Sequence, residues 1–212
     1  KWNDVADELA RQGTKSAAQI TPAETILTLS KGDYAMQKVE HYYKALFPYR
    51  SANFSFKTLA TSLEEAINII EKITSNIDVY DGSLSNLFPS AIIEKQYDLL
   101  ISYISPWIVP KAVLEKTKRW NINFHPGPPD YPGIGCFNFA IYNSAKQFGA
   151  TAHIMDTTVD AGRIVGVNRF GMTKKETVET LSKKTYKALL VLFKDVIKHV
   201  ITNNSLPKCD EK

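Results

Sequence analysis

Apolar residues recur along this chain in two spacings, which alternate from about residue 24 onward. Short continuous apolar runs are typical of buried strands, whereas apolar residues three or four positions apart are typical of helices. The first pattern predicts strands at 25–29, 52–56, 98–104, 121–124, 151–155 and 163–170. The second predicts helices at 36–46, 62–73, 110–117, 137–147 and 173–203. This alternation predicts an α/β fold with a mostly parallel, Rossmann-like sheet and helices on both faces.

Local signals predict where three of these helices begin. Ser62 with Glu65, and Thr173 with Glu176, form Ser/Thr-x-x-Glu capping boxes. Pro110 suits the first position of a helix, where its missing N–H is not needed.

The domain limits follow from the same patterns. Residues 1–23 are mostly polar with only a weak helical period, and they are predicted to be an appendage or linker. Residues 24–208 then form one domain, a length that can bury a sizeable core. Residues 209–212 are interpreted as the start of a C-terminal tail that could be truncated.

Charge and composition argue against several classes of protein. The 212 residues carry a formal net charge of +4 with acids and bases mixed, so we expect no nucleic-acid binding. No apolar run approaches a membrane span and no secretory signal opens the chain, so we expect no membrane association and a cytoplasmic setting. Cys136 and Cys209 belong to no metal-type spacing, and disulfide use is not indicated. Only Gly32 follows the first predicted strand, so no NAD is inferred.

Asn123 and His125 are the first candidates for chemistry. They stand at the end of a predicted strand, two positions apart, so both side chains point to one face. Open α/β sheets bind ligands outside the carboxyl ends of their strands. An amide and an imidazole there can hold a carbonyl oxygen and move a proton. A strand-end histidine is, however, more often a hydrogen-bonded structural residue.

A loop rich in proline and glycine follows this pair. Residues 126–135 contain four prolines and three glycines, which fix geometry or let a ligand approach the backbone closely. A rigid structural turn is the competing interpretation.

Asp160 is the third candidate, in a tight turn between two predicted strands. As a functional residue it would be the anionic partner of a His125 imidazolium and would accept a proton from an attacking nucleophile. The competing interpretation is a turn aspartate bonded to its own backbone. Sequence alone does not bring Asp160 near His125.

These residues carry a resemblance to a known family. The run Asn123-Phe-His-Pro-Gly-Pro-Pro-Asp-Tyr-Pro-Gly-Ile-Gly-Cys, followed by Val159-Asp-Ala-Gly-Arg-Ile-Val, is similar to formyltransferases that use 10-formyltetrahydrofolate. That family has Asn-x-His, a Pro/Gly loop, and an Asp ahead of a Gly in a strand-joining loop. Asn123, His125 and Asp160 match all three positions. The resemblance spans about residues 24–208.

The loop resembles one branch of this family most. Glycinamide ribonucleotide and methionyl-tRNA formyltransferases usually have Ser-Leu-Leu-Pro after the histidine, whereas this chain has Pro-Gly-Pro-Pro. The following Tyr-Pro-Gly-Ile-Gly-Cys resembles small bacterial enzymes that formylate dTDP-linked 4-amino sugars for surface polysaccharide, such as lipopolysaccharide O-antigen. The resemblance therefore implies formyl transfer from 10-formyltetrahydrofolate to the amine of a nucleotide-linked amino sugar.

The resemblance also implies residue roles, without a metal. The Asn123 amide and the His125 imidazolium would stabilise the oxyanion of a tetrahedral intermediate, and Asp160 would keep His125 charged and help remove the amine proton. The implied folate-binding positions are Ile104, Ser105, Pro106, Val109, Asp156, Thr157, Thr158 and Val159; plain core is an equally good interpretation of Ile104 and Val109. The expected substrate contacts are Tyr131, Gly127, Pro128 and Trp107, although Trp107 could equally be a packing anchor.

Several alternatives stay open. A 10-formyltetrahydrofolate deformylase would use the same three residues, with water in place of the amine. Glycinamide ribonucleotide or methionyl-tRNA could be the acceptor, although the modest charge disfavours tRNA. A non-catalytic nucleotide-binding module would make the three residues dispensable. An exposed apolar face would permit a homodimer.

Overall fold

The computed structural model describes residues 56–73, 76–80, 88–105 and 107–211. The predicted appendage at 1–23, the strand at 25–29 and the helix at 36–46 lie outside these residues. The helices are α1 (Phe56–Glu71), α2 (Ser90–Glu94), α3 (Lys111–Lys116), α4 (Cys136–Tyr142) and α5 (Val178–Asn203). The strands are β1 (Leu99–Tyr103), β2 (Trp120–His125), β3 (Gln147–Ile154) and β4 (Ile164–Gly171).

The capping box predicted at Ser62 and Glu65 is wrong. The helix already begins at Phe56, where the sequence pattern had predicted a strand end. Ser62 therefore lies inside α1, and its hydroxyl is 2.7 Å from the hydroxyl of Tyr103. A Ser-x-x-Glu sequence occurs inside helices as well as at their starts, so it marks an N-terminus only where the upstream residues are not helical.

The second predicted capping box, Thr173 with Glu176, is also wrong, by four positions. The Thr177 hydroxyl accepts a hydrogen bond from the Thr180 N–H, and the Thr180 hydroxyl accepts one from the Thr177 N–H. This reciprocal pair satisfies two backbone donors at the start of α5. At α3, Pro110 is the N-cap, one position before the helix.

The four described strands lie in the order β1-β2-β3-β4. β1 runs parallel to β2, whereas the pairs β2–β3 and β3–β4 are antiparallel. The α/β class is confirmed, but this part of the sheet is mixed rather than mostly parallel. The β3–β4 pair is antiparallel because a short loop joins the two strands. Strand β3 also runs antiparallel to β2, which it follows after α4.

The two faces of β2 meet different surroundings because successive side chains of a strand point to opposite sides. Ile122 and Phe124 are fully buried, and the Phe124 ring lies 4.8 Å from the Phe193 ring of α5. Asn123 and His125 alternate with them and therefore belong to the other face. The sheet thus separates an apolar core from the polar candidate site.

Helix α5 supplies much of this core. The residues predicted to face inward are buried, except that Val178 is half-buried: Leu181, Leu189, Phe193, Val196 and Val200. On α1, Ala66 joins the same cluster. Ile73, predicted to face inward on this helix, lies beyond its end and is exposed. No helix among the described residues is long and apolar enough to cross a membrane.

A second apolar cluster anchors the far end of the Pro/Gly loop. The Phe137 ring of α4 lies 5.6 Å from Phe148 of β3 and 6.2 Å from Tyr186 of α5. Cys136 is buried at the start of α4, and burial raises the pKa of its thiol to about 12. The loop is therefore fixed between the end of β2 and this cluster.

Candidate active site

His125 is the last residue of β2 and is largely buried, with 9% of its surface exposed. Its Nδ1 lies 3.3 Å from Oδ2 of Asp160, and its Nε2 lies 3.2 Å from the carbonyl oxygen of Tyr131. Both neighbours are acceptors only, so an imidazolium, which carries a hydrogen on each nitrogen, satisfies both contacts.

Asp160 lies in the loop between β3 and β4 and adopts a left-handed backbone conformation, with φ of 52°. Its Oδ1 accepts a hydrogen bond from Nδ2 of Asn123 at 3.1 Å, and its Oδ2 accepts one from the backbone N–H of Gly133 at 2.8 Å. A turn aspartate that binds only its own backbone is therefore not what the structure has. The three residues predicted from sequence meet around one carboxylate.

The surroundings of Asp160 stabilise its ionised form. Burial alone raises the pKa of this carboxyl, but hydrogen bonds from His153 and Gly133 and the charges of His125 and His153 outweigh that effect. The net result is a pKa lowered to about 2. Asp160 is thus a carboxylate at neutral pH and a fixed negative charge beside two imidazoles.

The Pro/Gly loop holds its shape through backbone contacts. Gly133 has φ of 77°, a left-handed conformation that glycine adopts without strain, and its N–H points at Asp160. The Tyr131 N–H donates to the Pro128 carbonyl, and the Gly127 carbonyl accepts from the hydroxyl of Thr151. The loop therefore has the internal contacts expected of a rigid turn, and the approach of a ligand to its backbone stays a prediction.

His153 is a fourth site residue, which the sequence interpretation missed. It lies on β3 directly opposite Asn123, and its side chain is 4% exposed. Its Nε2 lies 3.2 Å from Oδ1 of Asp160 and 3.0 Å from Nδ2 of Asn123. In the sequence, His153 lies two positions after Thr151, so both side chains are expected on the same face of a strand. Which residues of β2 lie opposite them depends on the antiparallel register, which the sequence pattern does not give.

A cavity of about 410 Å³ opens onto these groups. His125, His153 and Asp160 line this cavity, together with the loop residues Pro128, Pro129 and Pro132. Arg163 and Glu211 add one charge of each sign to the lining. The volume falls within the range of small-molecule sites.

The predicted folate-binding positions form two groups. Ile104, Ser105 and Val109 follow β1 and are half-buried, and Ile104 packs against both apolar clusters. Asp156, Thr157, Thr158 and Val159 precede Asp160 and are exposed. Pro106 lies outside the described residues. Among the seven positions that the structure describes, none lines the cavity next to His125, so the role of the whole set in binding stays a prediction.

The predicted substrate contacts differ among themselves. Pro128 is buried and lines the cavity, and Gly127 is buried beside it. The ring of Tyr131 packs against Phe148 in the core, with 5.8 Å between ring centres, so the structure does not direct this side chain into the cavity. Trp107 stacks edge-on against Phe88 at 5.6 Å, which favours its interpretation as a packing anchor.

No group of His, Cys, Asp and Glu side chains with the arrangement of a metal site occurs within 56–73, 76–80, 88–105 and 107–211. The chemistry of these residues is donation of hydrogen bonds to an oxygen and acceptance of a proton. Donors fixed around a carbonyl stabilise the negative charge that develops when it is attacked.

Curated relatives match parts of this chain. A methionyl-tRNA formyltransferase of Alkaliphilus oremlandii is 36% identical over 89 residues, which are 42% of this chain and 26% of the relative. A GDP-perosamine N-formyltransferase of Brucella melitensis is 26% identical over 101 residues, 47% of this chain and 39% of the relative. The chain thus spans less than half the length of either protein.

Solved structures share the fold. A sugar N-formyltransferase from a Shewanella species has a TM-score of 0.55 at 19% identity, covering 74% of this chain and 71% of its own. A phosphoribosylglycinamide formyltransferase from Bacillus halodurans has a TM-score of 0.56 at 19% identity, covering 68% and 92%. An N-formyltransferase from Helicobacter canadensis, solved with folinic acid and dTDP-3-aminofucose, has a TM-score of 0.52 at 23% identity, covering 70% and 62%.

These similarities agree with a match to a whole family. The family model described as formyl transferase matches residues 86–197, more than half of the chain, and this range contains Asn123, His125, His153 and Asp160. The family resemblance inferred from the sequence is confirmed, and the chain belongs to the formyl transferase family.

Proposed function

We propose that this protein transfers a formyl group from 10-formyltetrahydrofolate to the amine of a nucleotide-linked amino sugar, with a dTDP-linked 4-amino sugar as the favoured acceptor. The observation that carries the proposal is the convergence of the Asn123 amide and the His125 imidazole on the Asp160 carboxylate. His125 and Asp160 both line the cavity. The family match supports formyl transfer, and the finer choice of acceptor rests on the loop sequence and on neighbours that act on sugars.

The proposed reaction is an acyl transfer. The neutral amine forms a bond to the formyl carbon, the carbonyl π electrons move onto oxygen, and the amine nitrogen then loses a proton. Collapse of the intermediate breaks the bond between the formyl carbon and N10 of the folate. That nitrogen takes a proton, so the products are the formamide and tetrahydrofolate. Atoms and charge balance without an oxidant or a metal.

In this proposal the three residues have different tasks. Asn123 and His125 donate hydrogen bonds to the developing oxyanion. An oxyanion is a stronger acceptor than the neutral Tyr131 carbonyl that His125 Nε2 faces in the free protein. Asp160 keeps the imidazolium paired and accepts the amine proton, directly or through water. Removal of one oxyanion donor typically lowers the rate about a hundred-fold or more.

The residues present suit a formylated donor. A formyl oxygen only accepts hydrogen bonds, and the Asn123 and His125 side chains are donors. Ile104 and Val109 are half-buried apolar residues after β1, and in this proposal they would contact the flat pterin ring although neither lines the cavity next to His125. The Helicobacter relative was solved with folinic acid, itself a formylated folate, which supports a donor of this class.

The acceptor assignment draws support from three features. The Pro-Gly-Pro-Pro loop departs from the sequence usual in glycinamide ribonucleotide and methionyl-tRNA enzymes. Structural neighbours include a sugar N-formyltransferase and a protein solved with dTDP-3-aminofucose. The cavity also presents Arg163, an exposed cation suited to a phosphate or carboxylate of a substrate.

The proposal extends to the organisation of the chain. Residues 24–208 would form the catalytic domain, since the family match at 86–197 lies within them. Residues 1–23 would be an appendage. Homodimer formation and a cytoplasmic setting stay predictions.

A turnover screen tests the function. Purified protein is incubated with 10-formyltetrahydrofolate and, in separate reactions, dTDP- and UDP-linked amino sugars, glycinamide ribonucleotide, charged methionyl-tRNA or no acceptor. Formamide product is detected by mass spectrometry and free formate by a coupled assay. We expect a formylated nucleotide sugar and little formate without acceptor. Formate release with every acceptor, and no formamide, would replace the proposal with a deformylase.

Matched variants show whether the site is responsible. Asn123→Ala and His125→Ala should each abolish most of the transfer, whereas Asn143→Ala, at an exposed position after α4, should leave it unchanged. Full activity in the first two variants would instead favour a non-catalytic role for these residues.

A further inference from the structure

His153, Asn123 and Asp160 form a closed triangle of polar atoms. Nδ2 of Asn123 lies 3.1 Å from Oδ1 of Asp160 and 3.0 Å from Nε2 of His153. The third side, from His153 Nε2 to Asp160 Oδ1, measures 3.2 Å. The carboxylate only accepts hydrogen bonds, the amide nitrogen only donates them, and the imidazole nitrogen can do either. The state of His153 therefore decides which contacts are hydrogen bonds.

The opposite side of the His153 ring limits its possible states. Nδ1 lies 3.0 Å from the carbonyl oxygen of Ile154, an acceptor, so Nδ1 carries a hydrogen. Nε2 is then either bare, in the neutral ring, or protonated, in the imidazolium. The Asn123 amide has a fixed orientation too, because its oxygen would otherwise face the Asp160 carboxylate.

These constraints give two arrangements. With neutral His153, one N–H of Asn123 binds Asp160 and the other binds Nε2, so both amide hydrogens are held inside the protein. With charged His153, Nε2 donates to Asp160 instead. The two donors then repel each other, and the second N–H of Asn123 turns away from the ring. Only the second arrangement leaves one Asn123 hydrogen without a partner in this triangle.

We propose that His153 is a positioning residue, whose Nε2 determines whether the second N–H of Asn123 is retained within the site or is directed to the formyl oxygen of the donor. The coupling between His153 and Asn123 is a property of the free protein. Its use in oxyanion stabilisation rests on the proposed function.

Four other ionisable groups near the site bear on the titration of His153. Asp160, in the hairpin loop, has a pKa of about 2 and stays an acceptor throughout the neutral range. His125, on β2, contacts the other oxygen of the same carboxylate. Arg163 is a permanent cation in the cavity lining, and the buried Cys136 thiol, whose pKa is about 12, stays neutral. His125 is thus the one neighbour that must be distinguished experimentally.

Nuclear magnetic resonance of the free protein tests the coupling. The ring nitrogens of His153 and the Nδ2 hydrogens of Asn123 are followed between about pH 5.5 and pH 8.5, a range centred on histidine titration. We expect one Asn123 hydrogen to shift, and to exchange faster with water, with the same midpoint as His153. The coupling should persist in His125→Asn. The proposal would be overturned if the Asn123 hydrogen signals did not change with the protonation of His153, or if they changed only with that of His125.

Kinetics of His153→Gln test the consequence for catalysis. Glutamine keeps a polar group near Asp160 but does not titrate. We expect kcat to fall about ten-fold, KM for the folate donor to stay within about two-fold, and one ionisation to vanish from the kcat–pH profile. An unchanged profile with unchanged kcat would overturn the positioning role. If the variant fails to fold, the spectroscopic result on the natural sequence decides the question, and coupling without any formyl transfer would refute the proposed function alone.

Discussion

At the scale of single residues, Asp160 has the largest number of partners in the site. It contacts His125, His153, Asn123 and the Gly133 amide, so its charge orients groups from β2, β3 and the Pro/Gly loop together. An asparagine is nearly the same size but carries no charge. Its amide nitrogen would face donors that now point at a carboxylate oxygen.

We therefore expect Asp160→Asn to lower kcat about a hundred-fold or more, since it removes the acceptor for the amine proton and the partner of His125. Steady-state formyl transfer with the acceptor found in the screen is the measurement. Asp195→Asn, an exposed aspartate on α5, is the matched control and should keep full activity. A loss below three-fold would show that Asp160 is structural.

The same residue makes stability depend on acidity. Its pKa is about 2 in the folded protein, below the ordinary value of 3.8, so the unfolded chain binds the proton more readily. The stabilisation is fully present above about pH 4, is lost as the pH falls through about 2, and amounts to about 2 kcal/mol. The free energy of unfolding, measured with urea, should therefore differ less between the natural protein and Asp160→Asn at pH 2.5 than at pH 5. A constant difference would contradict this linkage.

The site could be predicted in part from the sequence. Asn123 and His125 could be predicted because they lie two positions apart on a strand, which places both on one face, and because a proline-rich loop follows them. Asp160 needed the family resemblance, since 35 residues separate it from His125. His153 could not be predicted as a site residue. Its position opposite Asn123 depends on the register of an antiparallel pair, which the apolar pattern does not encode.

At the scale of secondary-structure elements, the β3–β4 hairpin places both His153 and Asp160. The return of the chain into β4 passes very close to the end of β3: a Cβ on Gly162 would lie 1.7 Å from the carbonyl oxygen of Ile154. A backbone oxygen cannot yield as a flexible side chain can. The hairpin loop thus requires glycine at this position for steric reasons.

Gly162→Ala should consequently displace the loop and destabilise the protein by about 2 kcal/mol or more, the range of substitutions that force backbone strain. Gly171→Ala is the matched control at the exposed end of β4, where a Cβ would meet nothing within 4 Å. It should change stability by less than about 0.5 kcal/mol. Thermal unfolding and formyl transfer are measured for both. Equal stability and equal activity of the two variants would show that the loop accommodates the extra methyl group without destabilising the protein.

The sequence predicted where helices and strands lie better than it predicted where they begin and end or how neighbouring strands are directed. The apolar period of α5 identified its buried face, because a long helix repeats its pattern many times. The helix starts at Ser62 and Thr173 were wrong because short capping motifs also arise by chance. The prediction of parallel pairing holds for β1 and β2 but not for the two pairs that involve β3, because a strand pattern is the same whichever way the chain runs.

At the scale of the whole molecule, Arg169 of β4 joins two distant parts of the chain. Its guanidinium binds Asp130 of the Pro/Gly loop at 2.6 Å and Glu211 near the C-terminus at 2.6 Å. Hydrogen bonding to Glu211 raises the pKa of Arg169 above its ordinary value, so the cation is permanent. Glu211 also lines the cavity, so the arginine connects the sheet, the loop and one wall of the candidate site.

Arg169→Met should therefore loosen the loop and the C-terminal segment while the core stays intact. Hydrogen exchange should become faster in peptides covering 126–135 and 205–211. Global stability should fall by only about 1 kcal/mol, because the partners are partly exposed and such pairs contribute little. KM for the acceptor should rise about five-fold, the equivalent of about 1 kcal/mol, with kcat nearly unchanged. Lys183→Met, which removes the Glu179 pair within α5, should alter neither exchange nor KM. Identical exchange in both variants would show that the loop holds its shape without Arg169, through its own prolines and the Gly133–Asp160 hydrogen bond.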